Sequence, residues 1–237
     1  MGILITALHK ARILHPVLNF RGIKVPVAGD HISRTLWKHI WKGGYEGPEI
    51  EALSSLIRPG DRILELGTGM GLVSGVAANL HPDVKIEAYE ANPALIPAIH
   101  KLHELNGITN INVNNAILLP TDDTTPIRFN LHENFTMSSI KNTIDSSGYV
   151  EVERRDFRKV LSEFRPDILA CDIEGGEEEL FTGVTLQGLR SLIIEFHPKL
   201  ISRSAVKRIY DLCADAGLYP RIELSSLQVV AFDKIDT

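Results

Sequence analysis

Cysteine is scarce in this chain of 237 residues: Cys171 and Cys213 are the only two. Two thiols cannot build the disulfide framework on which small secreted domains depend. Cys171 also lies in an apolar, strand-like run, where a buried reduced thiol is expected. Long apolar runs are absent too. None approaches the roughly 20 residues of a membrane-spanning helix, and Met1 to Leu14 lack the charged, apolar, small-residue order of a secretion signal. These absences predict a chain with no membrane span, working in the cytoplasm. A basic excess is missing as well. Lys and Arg total 25 against 30 Asp and Glu, a net charge of −5, so no field draws the chain to a nucleic-acid backbone. No repeat or low-complexity segment is present. The lone glycosylation-type triplet, Asn134-Phe135-Thr136, reads as chance.

What is there is an ordinary globular composition, 44% hydrophobic and 23% charged, long enough for one α/β domain with a short appendage. Residues 1–45 read as that appendage, a lid or part of an acceptor pocket. They hold an amphipathic stretch from Leu4 to Leu14 and a strand over Gly22–Val27, whose Pro26 suits a sheet edge. A helix follows over His31–Lys42, stopped by Gly43-Gly44. Residues 46–237 read as the main domain. A helix over Glu49–Ile57 precedes alternating elements: strand Arg62–Leu66, helix Met70–Leu80, strand Val84–Tyr89, helix Ala94–Leu105 and a strand near Asn110–Asn114. Further strands lie over Ile168–Asp172 and Leu192–Phe196. Alternation of this kind predicts a Rossmann-like, doubly wound, mostly parallel seven-stranded sheet with helices on both faces. Arg221–Leu224 and Leu227–Phe232 predict a C-terminal antiparallel hairpin at one edge. Residues 117–151 are less regular, with possible strands over Pro126–His132 and Gly148–Val152 around a polar segment.

The strand Arg62–Leu66 runs into Gly67-Thr68-Gly69-Met70-Gly71. Three glycines let the backbone turn tightly and approach a ligand, and the next helix offers free N–H groups. A dinucleotide loop would place its third glycine at position 72, which is Leu72. Glu65, two positions before the first glycine, adds a fixed negative charge. That charge is useless to a pyrophosphate and useful to S-adenosylmethionine, which carries an ammonium and a sulfonium. Glu90 ends the next strand, placed to accept hydrogen bonds from ribose hydroxyls. Ala91 and Asn92 then lie beside an adenosine, and Asn115-Ala116 stand where an adenine contact is expected. A polar Asn pair is equally ordinary turn chemistry.

Two more strands end on ionisable groups. Asp172-Ile173-Glu174-Gly175 closes one, and Glu195-Phe196-His197-Pro198 the other. Ligands of such sheets bind outside the carboxyl ends of the strands, so Asp172, Glu174 and His197 are candidate catalytic residues. His197 or Asp172 would be the general base. The same three could instead hold a divalent metal, but the sequence fixes no coordination geometry and no metal is assigned. Glu177, Glu178 and Glu179 suit the first turn of a helix.

These motifs, together with Tyr45-Glu46, Pro59-Gly60-Asp61, Ser138-Ser139 and Glu177 after the Asp172–Gly175 motif, make the chain resemble FkbM-type methyltransferases of the class I S-adenosylmethionine-dependent fold over roughly residues 20 to 200. Two positions depart from that family's pattern. Glu65 and Thr68-Gly69 replace an Asp and an Ala-Asn pair, and Ala170 stands where a lysine is common. The resemblance implies O-methylation of a hydroxyl on a sugar or secondary metabolite. Under this reading Glu65, Gly67, Thr68, Gly69, Gly71, Glu90, Ala91, Asn92, Asn115, Ala116 and Asp172 bind the cofactor. Arg34, Trp37, Ser138 and Ser139 are acceptor-site candidates, although Trp37 suits a core equally well. The partner is a small hydroxyl-bearing acceptor, a glycan among the candidates, and the oligomeric state stays open. An NAD-dependent dehydrogenase and a non-catalytic S-adenosylmethionine-binding protein are the alternatives.

Overall fold

A computed structural model describes residues 16–28, 32–132, 138–141 and 148–235. The predicted stretch Leu4–Leu14 and the triplet at Asn134 lie outside them. The described chain opens with a hairpin, β1 (Val17–Phe20) against β2 (Ile23–Pro26), in a two-stranded sheet of its own. Its two-residue turn has positive φ at both Arg21 and Gly22, at 44° and 90°. That is the twist that tight hairpins require. Helices α1 (Arg34–Trp41) and α2 (Gly47–Leu56) follow. Then come β3 (Arg62–Leu66), α3 (Leu72–Leu80), β4 (Lys85–Tyr89), α4 (Ile96–Asn106) and β5 (Ile111–Asn114).

The irregular middle resolves into β6 (Ala116–Leu119), β7 (Ile127–Leu131) and the nine-residue β8 (Gly148–Asp156), which form a three-stranded sheet in the order β6-β8-β7. Next are α5 (Phe157–Phe164), β9 (Ile168–Cys171), α6 (Glu177–Leu180), β10 (Ser191–Glu195), α7 (Arg203–Asp215), β11 (Leu218–Pro220) and β12 (Val229–Lys234).

The main sheet has seven strands in the order β11-β12-β10-β9-β3-β4-β5. Strands β5, β4, β3, β9 and β10 are parallel, while β12 and β11 run antiparallel at the edge. The edge pairing differs in detail from the sequence reading. The segment Ile222–Leu224 is a 3-10 turn rather than a strand, and β12 pairs instead with Leu218–Pro220 just upstream. The alternation of Arg221–Leu224 suited a strand, but the chain spends those residues on crossing back.

Helices cover both faces of the central strands, so these read as nearly continuous apolar runs. Alternation splits them into two cores. Ile63, Ile86, Ile168 and Ile193 face one layer with α2 and α3, while Leu64, Leu169, Leu192 and Ile194 face the other with α7. Phe20, Val25, Leu36, Trp37 and Ile40 belong to the first of these cores. The described part of the N-terminal segment therefore shares its core with the sheet.

One buried group in this shell makes stability pH-dependent. His103 on α4 is buried, and burial, with the nearby His100, lowers its pKa to about 4. The unfolded imidazole titrates near 6.5. The folded state therefore resists a proton that the unfolded chain accepts. The stability contribution is complete above about pH 6.5 and is lost as pH falls towards 4, by roughly 3 kcal/mol at most. Urea unfolding of wild type and His103→Leu at pH 7.5 and 4.5 measures it: the difference between the two proteins should shift in favour of the variant at low pH. Equal shifts in both would remove His103 as the cause.

Candidate functional site

Strand alternation decides which ionisable groups meet. Residues 63 and 65 share a face, as do 168 and 170, and 191, 193 and 195. The β9–β10 register pairs Ile193 with Ala170 and Ile194 with Cys171, so Glu195 comes level with Asp172. Glu195 ends β10 and Asp172 directly follows β9, both at the carboxyl end of the sheet and next to the point between β3 and β9 where strand order reverses. Ligands of doubly wound sheets bind at such a crevice. Helix α2 packs across β10 and β12 and carries Glu49 over the same acids.

The glycine loop is folded by hydrogen bonds from Gly67 and Thr68 N–H to the Tyr89 carbonyl, 3.0 and 3.1 Å, and from Gly71 N–H to the Thr68 carbonyl. Gly67, Gly69 and Gly71 all have positive φ. Glu65 is buried beneath the loop. Its carboxylate accepts from the Thr68 hydroxyl at 2.7 Å and from Ser74 N–H at 3.1 Å, and burial raises its pKa against the opposing pull of these bonds. Glu90 is buried on the cavity side. It accepts from Gly69 N–H and Asn92 N–H, each at 2.7 Å, and desolvation lifts its pKa to about 7 despite both bonds.

Beyond β10, His197 is clamped among carboxylates. Its Nδ1 lies 2.6 Å from Glu177, and its Nε2 lies 3.4 Å from Glu174 and 3.7 Å from Asp172. Burial by itself lowers the imidazole pKa, but the Glu177 bond and the Glu174 and Asp172 charges outweigh it and carry the pKa up to about 9. Burial, with Glu195 beside it, drives the Asp172 carboxyl well above the usual carboxylate range, and burial raises Glu174 too. Glu49 is pushed up to about 7, chiefly by burial and further by Glu195.

A cavity of roughly 880 Å³, open mouth included, joins these parts. Gly67, Gly69, Glu90, Ala91, Ala116, Asp172 and Glu174 line it, along with Ser138 and Ser139. The Ser139 hydroxyl donates to the Glu174 carbonyl, which fastens the segment after β7 to the end of β9. The rest of the wall is largely apolar, with Ile117, Leu119, Phe129, Ile140 and Ile173.

Other residues singled out in the sequence stand elsewhere. Glu65, Thr68, Gly71 and Asn92 support the loop without lining the cavity. The Asn115 amide donates to the Glu90 and Ala91 carbonyls and so braces that strand end. Trp37, 3% exposed, is core and stacks on Trp41, while Arg34 is exposed on α1. Neither lines the cavity. His197 does not line it either and sits behind Asp172 and Glu174.

Three groups at the site stand outside the candidate site residues of the sequence. Glu177, wholly buried, matched an ordinary first-turn acid, as Glu178 does in binding the Ser202 hydroxyl. Glu49 reads as a helix-start acid in sequence, and only packing of α2 brings it to the cluster. Alternation along the strand puts Glu195 on the same side as His197, but only the β9–β10 register sets it beside Asp172.

Residues 76–218 match the methyltransferase FkbM domain family, a span that begins just after the glycine loop. No curated protein sequence matches the chain. Among solved structures, the chain is similar to a precorrin-6y C5,15-methyltransferase from Geobacter metallireducens GS-15. Identity there is 15%, covering 78% of this chain and 87% of that one, with a TM-score of 0.48. It is also similar to TYW2 of M. jannaschii in complex with AdoMet, at 12% identity, 92% and 86% coverage and a TM-score of 0.47.

Proposed function

The chain belongs to the FkbM methyltransferase family, and on that premise we propose that it moves a methyl group from S-adenosylmethionine to a hydroxyl of a small acceptor, such as a sugar or secondary metabolite. One observation carries the reading: the glycine loop, Glu90 and the carboxylates Asp172 and Glu174 line the same cavity. When bound, S-adenosylmethionine supplies an electrophilic methyl on a sulfonium.

The residues fit that group. Glu90 offers a buried carboxylate to ribose hydroxyls, and Gly67 and Gly69 bring bare backbone to the cavity wall. Glu65 holds the loop in shape rather than touching the ligand, because Thr68 and Ser74 engage its oxygens. Methyl transfer is an in-line displacement, so most of the catalysis is positioning and exclusion of water. The hydroxyl must also lose a proton. Asp172 lines the cavity at the end of β9, so it is the group placed to receive that proton. Glu174 stands beside it, and His197, held by Glu177, neutralises the pair from behind.

Release of S-adenosylhomocysteine across a panel of hydroxyl acceptors tests the reading and separates it from a non-catalytic binder. No release with any acceptor, in a chain that binds the donor, would overturn it. Binding of NAD in place of S-adenosylmethionine in calorimetry would favour the dehydrogenase instead.

Glu90 makes a sharper prediction. Its pKa near 7 means that the acceptor form of the carboxylate grows as pH rises. Affinity for S-adenosylmethionine should rise between pH 6 and 8 and then level off. Glu90→Gln should bind more weakly and lose this dependence. An unchanged profile in Glu90→Gln would remove the ribose assignment.

A further inference from the structure

The acids around His197 exceed what one imidazole neutralises, and their arrangement has the form of a ligand set. We propose that Asp172, Glu195 and His197 bind a hard divalent cation of the Mn²⁺/Mg²⁺ class. One ligand atom from each of the three lies within 4.8 Å of the others. Carboxylate oxygens with a single imidazole suit such an ion better than a soft metal. The imidazole is already oriented: Glu177, wholly buried, engages Nδ1 at 2.6 Å and leaves Nε2 facing Asp172 and Glu174, where an entering cation replaces the Nε2 proton, which is released to solvent. A carboxylate behind a histidine in this way is the usual support of a metal-binding ring.

Two orphaned atoms point the same way. Asp172 Oδ1 is buried with no hydrogen-bond partner. Glu49 is 8% exposed, its Oε2 also has no hydrogen-bond partner, and its charged neighbours are Glu195 and His197. A buried carboxylate oxygen held beside another acid is costly unless a cation meets it. Asp172 lines the cavity, which gives the ion a way in and leaves an open position for water or an acceptor oxygen. An ion there would lower the pKa of a hydroxyl bound to it.

Cation binding needs neither donor nor acceptor, so it is measured apart from methyl transfer. The full chain, stripped with a chelator, is titrated with Mn²⁺, and free ion is followed by electron paramagnetic resonance. One saturable site is expected, displaced by excess Mg²⁺. Glu195→Gln should weaken it by at least about 10-fold, and Glu177→Gln, which acts through the imidazole, by about 10–100-fold. Glu178→Gln, an acid on the same helix turned to Ser202, should bind like wild type. Should Glu195→Gln fail to fold, Asp172→Asn supplies the same comparison. No saturable Mn²⁺ binding, or wild-type affinity in the folded Glu195→Gln or Asp172→Asn variant, overturns the site. Lost Mn²⁺ binding with S-adenosylmethionine affinity intact refutes the cation alone. Mn²⁺ bound by a chain with no affinity for S-adenosylmethionine refutes the methyl-transfer reading alone.

Discussion

Asp172→Asn should lower turnover by about 10²–10⁴-fold, the usual contribution of a positioned base, while leaving affinity for S-adenosylmethionine within a few-fold of wild type. The substitution keeps the shape of the side chain. It also keeps the Asp172 N–H bond to the Leu66 carbonyl, 2.9 Å, which joins β9 to β3 at the base of the crevice. What it removes is a carboxylate that lines the cavity, faces His197 at 3.7 Å and sits level with Glu195. Burial and the neighbouring Glu195 and Glu49 charges raise the proton affinity of that carboxylate, which makes it a better proton acceptor than an exposed one. Single-turnover rates with saturating donor separate this loss from any change in binding. A turnover rate within threefold of wild type would exclude Asp172 from proton transfer or acceptor activation.

Gly67→Ala should be the most damaging small substitution in the chain. At φ +81° any side chain is strained, at a cost of about 1–3 kcal/mol. The added methyl would also lie 1.7 Å from the Asp172 carbonyl oxygen and 2.7 Å from its carbon. Both are backbone atoms, so no side-chain rotation relieves the overlap and the ends of β3 and β9 must separate. Those ends carry the glycine loop and Asp172, so donor binding should be lost along with stability. Gly60→Ala is the matched control: its φ is +79°, with nothing within 4 Å of the added methyl. Thermal unfolding should show the larger drop for Gly67→Ala, and calorimetry should show donor binding in the control alone. Equal melting temperatures in the two variants would mean that the contact with Asp172 has no energetic weight.

Legibility differed by the range of the interaction involved. The parallel strands were readable because burial on both faces leaves apolar runs such as Ile63-Leu64 and Ile168-Leu169. The glycine loop was readable because tight turns restrict residue type. Within residues 117–151 the strands at 126–132 and 148–152 were readable and match β7 and β8, but β6 and the three-stranded pairing were not, since these strands acquire their partners from one another across intervening chain. The surface on which the N-terminal segment packs was not readable, because an eight-residue amphipathic helix, α1, has the same pattern whichever face it covers. Glu65 shows the limit within a motif. Its position marks the loop, but only the folded chain shows its oxygens engaged by Thr68 and Ser74 instead of facing the cavity.

Sequence by itself determined the order of elements, the loop after β3, and which strands end in acids, because these follow from local periodicity and residue type. Tertiary structure decided which acids meet. The β9–β10 register sets Glu195 beside Asp172, the packing of α2 delivers Glu49, and the turn into α6 aims Glu177 at His197. Each of these depends on the relative placement of elements distant in sequence, and no local pattern carries that information.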